Sequence, residues 1–346
     1  MITFKSLKKA FGKALVVTCL ALPVMQLLVL NPFEQVADFS ISDFYIRTAN
    51  RIRPTTLFND VVVISVDNLS RLEIANIAER ADFLGAKVVA LDVFMNWSTD
   101  YDKEVVSALS MCDNLILPSS LTESYVSPVF SEIEGAKYGY VNLECSWDGA
   151  KIRRFDTRTG DSRSFAAAAC DCNDIKSGII RYDSKDFEII SPEELCAELV
   201  RNKIVFLGNL NDFSDCHPTP IGVLPGVMIH AFIARTIIDN NSPHVRSNVV
   251  GLLFSMFFTV LITTLLLLFF NGVPFQNNLA TFLVQIVFSF VLYLVGAILF
   301  CSFDYYADIS IIILMIATIP LVYESLVLVK GAYLKIRSKV IIKRKK

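Results

Sequence analysis

The feature that most restricts this chain is a set of four long apolar runs at residues 14–30, 249–270, 280–301 and 309–329, in which Glu324 is the only charged residue. At about 1.5 Å of rise per helical residue the last three reach roughly 31–33 Å, close to a hydrocarbon core of about 30 Å. The first run is shorter but long enough to serve as an anchor. Lysines precede it, as in a cleavable signal peptide. Residues 31–38, NPFEQVAD, nevertheless offer no clear small-x-small cleavage site, so the run reads as an uncleaved anchor. A mean hydropathy of +0.51 with 19% charged residues agrees with membrane insertion and excludes intrinsic disorder.

Charge sets the expected orientation. Lys5, Lys8, Lys9 and Lys13 precede the first run, and Lys330, Lys335, Arg337, Lys339, Lys343, Arg344, Lys345 and Lys346 follow the last. Cytoplasmic flanks accumulate lysine and arginine, so both termini are expected inside. Residues 31–248 keep 20 basic against 31 acidic residues, an excess of 11 negative charges that places this segment outside and excludes nucleic acid as its partner. Four crossings return the chain to its starting side, in agreement with the charges. The expected organisation is a basic N-terminus (1–13), an anchor (14–30), an extracytoplasmic domain (31–248), three further spans (249–270, 280–301, 309–329) and a basic tail (330–346). This is the layout of a multi-pass protein of a bacterial inner membrane.

Within 31–248 the runs VVVISVD (61–67), VVALDVF (88–94), NLILPSS (114–120) and KIVFLGN (203–209) are continuous and β-branched, as expected of strands buried on both faces. Between the first two, Leu72, Ile74, Ile77 and Leu84 keep a helical rhythm that stops at Gly85. Further helices are expected near 102–110, 164–172, 192–200 and 228–239. Strand, helix, strand implies parallel crossovers. Residues 138–157 alternate around Asp148 and Gly149 and read as a hairpin with an Asp-Gly turn. The fold class is therefore an α/β exported domain with a mainly parallel sheet and an added hairpin, plus four transmembrane α-helices.

Open parallel sheets bind ligands beyond the carboxyl ends of their strands. Asp67, Asp92 and Asn209 fall there, followed by Asp212, Asp215 and His217, and together they form the candidate ligand site. Its acidic lining suits a cation or cationic ligand. The plainer alternative is that Asp67 or Asn68 caps the next helix and the later cluster only orders a loop. His230 could titrate near neutrality, but one histidine at an apolar helix start reads first as a packing residue.

Six of the eight cysteines (Cys112, Cys145, Cys170, Cys172, Cys196 and Cys216) lie in the exported segment, where 15 complete pairings are open. One bridge is expected, with buried free thiols as the alternative. Cys170, Cys172, Cys216 and His217 do not follow the paired spacing of zinc sites, so no metal or other cofactor is expected. No nucleophile elbow, phosphate loop or metalloprotease motif occurs, so the chain is not expected to be an enzyme. Glu324, near the inner end of the last run, can reach headgroups or Lys330 rather than mark an ion path.

The segments VVVISVDNLS, GAKVVALDVF, NLILPSS, YGYVNLECSWDGAKIRRF and KIVFLGNLNDFSDCHPTPIGVLPGVMIHA resemble the CHASE class-two (CHASE-2) family of extracytoplasmic sensory domains, over roughly residues 35–330. The resemblance implies one span before the sensor and about three after it, and a homodimer. Two departures stand out. The tryptophan- and proline-rich loop usual before the first crossover helix is missing, and no kinase or cyclase follows Val329. The expected role is a membrane-anchored extracytoplasmic sensor without its own catalytic output. It would meet an extracytoplasmic ligand or protein, lay its basic tail on membrane lipids and act through a separate cytoplasmic output protein. The alternative is a structural or docking subunit of an envelope complex.

Overall fold

A computed structural model describes residues 4–29, 41–122, 125–143, 151–182, 185–240, 242, 244–245, 248–269, 279–306, 312–313, 316–317, 325 and 327–334. The chain divides into two compact units, residues 42–244 and the remainder.

In the larger unit the helix Ile41–Ile52 leads into β1 (Thr56–Ser65), followed by β2 (Val88–Asp92), β3 (Leu115–Ser119) and β4 (Lys137–Tyr140). The short strands β5 (Arg154–Asp156), β6 (Arg158–Thr159), β7 (Ser162–Arg163) and β8 (Ser177–Ile179) come next. They precede β9 (Lys185–Ile190), β10 (Ile204–Gly208), β11 (Cys216–Thr219) and β12 (Gly222–Pro225). One six-stranded sheet, ordered β4-β3-β2-β10-β1-β9, is parallel throughout. The expected crossovers are present, and β10 is inserted between β1 and β2.

Period-two alternation explains the layering. Val62, Ile64, Val89, Leu91, Val205 and Leu207 are buried in a cluster with Ile74, Ala75, Ala78 and Ala81 of the helix Arg71–Phe83 and with Val105 and Leu109 of the helix Asp102–Ser110. The other face takes Phe206 against Phe165, with ring centroids 6.0 Å apart. Phe187 packs edge-on to Phe232 of the helix Gly226–Ile238 at 4.8 Å. The helix Arg71–Phe83 starts at a full capping box. Ser70 Oγ accepts from the Glu73 amide and Glu73 Oε2 accepts from the Ser70 amide, so Ser70 is the cap, not Asp67 or Asn68.

The expected hairpin at 138–157 is not formed. β4 joins the parallel sheet beside β3, and β5 pairs antiparallel with β8. The Asp148-Gly149 turn lies outside the described residues. Alternation over so short a stretch does not name its partner, and here the sheet edge and a later strand each took half of it. The described residues form antiparallel hairpins at β6–β7 and β11–β12 instead. Near 192–200 the single expected helix is a 3-10 turn, Pro192–Glu194, followed by the short helix Ala197–Val200. The seven described cysteines are free thiols, so the expected bridge is not found among them; Cys145 lies outside the described residues.

In the second unit the helix Phe4–Val29 covers the first apolar run and packs against the helix Asn248–Phe269, with Ala14 and Val17 among its buried residues. The helix Leu279–Phe303 follows. Gln285 Nε2 donates to the carbonyl of Ile316 at 3.0 Å. This bond satisfies a buried polar group. One helix among the described residues, Gln285–Phe303, is long and apolar enough to cross a membrane by length and composition. Glu324 and residues 335–346 lie outside the described residues.

Candidate functional site

Three central strands end in register. Ser65 pairs with Gly208, and Gly208 pairs with Asp92, so β1, β10 and β2 present one edge at their carboxyl ends. The helix Gly226–Ile238 starts directly over that edge, because Gly208 has no side chain. A Cβ there would lie 2.6 Å from Val227 Cβ. Asn209, partly exposed, follows Gly208 at the same edge.

The candidate residues divide into two groups. Asp67 is committed to the loop after β10. Its carboxylate accepts from Ser65 Oγ at 2.5 Å, from the amides of Leu210 and Asn211 at 3.0 Å each, and from Asn211 Nδ2 at 3.0 Å. Burial alone would raise this carboxyl, but the bonds from Ser65, Asn211 and Leu210 outweigh it and hold it below the ordinary range. Asp212 is likewise engaged. It caps the 3-10 turn Phe213–Asp215, accepting from the Ser214 hydroxyl at 2.6 Å and the Ser214 amide at 2.9 Å, and these bonds lower its pKa. Both residues shape the loop; the plainer alternative expected this of Asp212, whereas it had Asp67 or Asn68 capping the next helix, a position that Ser70 holds.

Asp92 and Asp215 differ from these two. Asp92, the last residue of β2, is crowded by protein yet keeps some accessible surface. Burial, and after it the nearby charge of Asp215, push its pKa up to about 8. Among the described residues no hydrogen bond or cation offsets these effects. Asp215 sits just before β11, and its carboxylate lies against Gly226, where an added Cβ would be 2.6 Å from Oδ2. That is the N-terminal end of a 13-residue helix, whose unpaired amides favour an anion. His217 Nε2 lies 3.4 Å from Asp215 Oδ1.

His230, on the first turns of the same helix, is buried edge-on to Phe165 at 5.2 Å. Burial lowers its pKa to about 4, with His217 adding to the effect and Asp215 opposing it. It is therefore a neutral packing residue and not a switch near neutrality. Its Nδ1 has no hydrogen-bond partner among the described residues. The structure thus brings Asp92, Asp215 and His217 together, adds His230 behind them, and assigns Asp67 and Asp212 to the loop.

No group of three or more histidine, cysteine, aspartate or glutamate side chains among the described residues converges as a metal site would require. The Cys170, Cys172, Cys216 and His217 grouping is therefore not assembled. Sequence reasoning missed Asp43, on the helix Ile41–Ile52. It is buried and accepts from Arg153 Nε at 2.8 Å and from Lys151 Nζ at 3.1 Å. The spacing of Tyr45, Ile46 and Ala49, all buried, was the signal available for that helix.

In comparison with known proteins, a family model described as the CHASE2 domain matches residues 16–270. No curated protein and no solved structure matches the chain.

Proposed function

The chain belongs to the CHASE2 domain family, whose members are extracellular sensory domains, and we propose that it is a membrane-anchored sensor whose ligand enters the Asp92–Asp215 recess. The observation that carries this reading is a pair of neighbouring acidic side chains at the carboxyl edge of a parallel sheet, the usual ligand position of such sheets, in which Asp215 has His217 at 3.4 Å and Asp92 has no cation beside it among the described residues. With no third metal ligand converging on it among the described residues, the pair suits an organic cation better than a metal ion. The role proposed is binding rather than turnover.

The membrane arrangement belongs to the same proposal. The four apolar runs cross a bacterial inner membrane, residues 31–248 face outward and both basic termini face inward. Gln285–Phe303 and the charge partition support this reading. The sensor passes its state to a separate cytoplasmic protein.

The direct test is thermal unfolding of the full chain in detergent micelles with spermidine as the probe and sodium chloride at matched ionic strength as the control. Spermidine at 100 times its Kd stabilises by about 2.7 kcal/mol. Asp92→Asn and Asp215→Asn each remove the effect. Equal stabilisation of wild type and both variants, or none in any of them, refutes the site. Protease added to intact spheroplasts cuts within 31–248 and spares the tail; the reverse pattern refutes the orientation.

A further inference from the structure

The hairpin β11–β12 touches two regions that the site does not otherwise connect. At its base, Asp215 precedes β11 and Gly226 follows β12. The carboxylate of one lies against the backbone of the other, beside the first ladder pair, Cys216 with Pro225. Midway along, the Pro218 carbonyl accepts from the Ile152 amide at 2.8 Å. Ile152 is flanked by Lys151 and Arg153, and both are held by buried Asp43, so this midpoint is fixed to the helix Ile41–Ile52 by an ion-paired clamp. At the tip, Arg47 of that helix donates from Nε to the carbonyl of Pro220 at 3.0 Å.

We propose that the β11–β12 hairpin is a lever that pivots where Pro218 meets Ile152 and carries the state of the Asp92–Asp215 recess to the helix Ile41–Ile52 through the Arg47–Pro220 contact. The inference rests on reading that recess as the ligand site. A charge change at the recess acts first on Asp215, which sits at the hairpin's base. A short antiparallel ladder moves as a body, because displacing one strand breaks the hydrogen bonds of the other. With the midpoint clamped, movement at the base appears at the tip. There the carbonyl of Pro220 is bound to a helix that belongs to the stretch of chain following residues 4–29. The device has two anchors of different kinds. Asp43 holds the pivot with two cations in a buried setting, which resists movement, whereas Arg47 holds the tip through a single bond at the surface, which can yield.

The test is amide hydrogen exchange, read by mass spectrometry on the full chain in lipid nanodiscs at one pH. Asp92→Asn, compared with wild type at pH 9 where the Asp92 carboxyl is ionised, serves as the perturbation because there it removes the recess charge without a ligand. Exchange in 216–225 and in 41–52 should both change, on the order of fivefold, the low end of ordinary coupling between sites. In an Arg47→Gln background the same Asp92→Asn change should still alter 216–225 and no longer alter 41–52. Comparison within that background removes any loosening caused by Arg47→Gln alone. If 41–52 still responds to the full extent without Arg47, or stays silent in the wild-type background while 216–225 responds, the lever is wrong and the recess stands. If both segments stay silent, lever and recess fall together.

Discussion

Replacing Asp92 by asparagine should stabilise the protein above neutrality, and the size of the gain follows from the burial of the carboxyl group. An aspartate in the unfolded chain ionises near 3.8, whereas Asp92 in the fold ionises at about 8. Between these values the unfolded chain has released the proton and the folded protein still holds it, so stability falls as pH rises through the interval and levels off above it. Each pH step corresponds to about 1.4 kcal/mol, which bounds the whole interval at about 6 kcal/mol. Asp92 retains some contact with water, and that solvation reduces the expected difference to about 2–4 kcal/mol at pH 8–9. For a domain of this size the gain is a rise in Tm of about 5–15 °C.

The assay is thermal unfolding of wild type and Asp92→Asn in detergent micelles at each pH from 5 to 9, followed by far-UV circular dichroism. The gain of the variant should grow steadily toward pH 8 and shrink toward pH 5. Removing the Asp215 charge with Asp215→Asn should move the break in the wild-type curve to lower pH, because that charge adds to the effect of burial. A difference between wild type and Asp92→Asn that is constant from pH 5 to 9, or a variant less stable at pH 8, refutes the picture of a buried carboxyl without a partner.

Asp67 should behave in the opposite sense. Its pKa is lowered, so its contribution is present at pH 7 and lost as pH falls through its folded value, and Asp67→Asn should cost about 1–3 kcal/mol at pH 7 in the same melts. Ser70→Ala removes one arm of a capping box and should cost about 0.5–2 kcal/mol, with faster amide exchange in the first turn of the helix Arg71–Phe83. Gly208→Ala drives a methyl group against Val227 and should cost about 1–3 kcal/mol, seen as a lower Tm. Asp43→Asn removes the carboxylate that pairs with buried Arg153 and should cost about 3–5 kcal/mol, with exchange rising first in residues 41–52 and 151–153.

Some elements were legible because their signal is local. β1, β2, β3 and β10 are continuous apolar runs, and a strand covered on both faces has no other composition open to it. The helices Arg71–Phe83 and Asp102–Ser110 carried their own periodicity. Other elements were hidden because their reason for existing lies elsewhere in the chain. The helix Ile41–Ile52 is short and mixed in composition, and one of the groups that fix it, Arg153, is 110 residues beyond Asp43. β9 alternates as an edge strand does, and only its pairing with β1 identifies it. The supposed hairpin at 138–157 shows the same limit from the other side, since a local pattern was correct in type and wrong in partner.

The candidate site divides along the same line. The amino-acid order alone placed Asp67, Asp92, Asn209, Asp212, Asp215 and His217 near the ends of strands, and it separated a negative globular segment from basic termini, because hydrophobic periodicity and charge count are properties of consecutive residues. Only the folded arrangement decided that Asp67 is tied to a backbone amide 143 residues away while Asp92 lies near another acid with no donor among the described residues. Hydrogen bonds act within about 3 Å, and the energy of a charge depends on the water and neighbours around it. Those neighbours come from distant parts of the chain, so the chemical character of each carboxylate was set by packing.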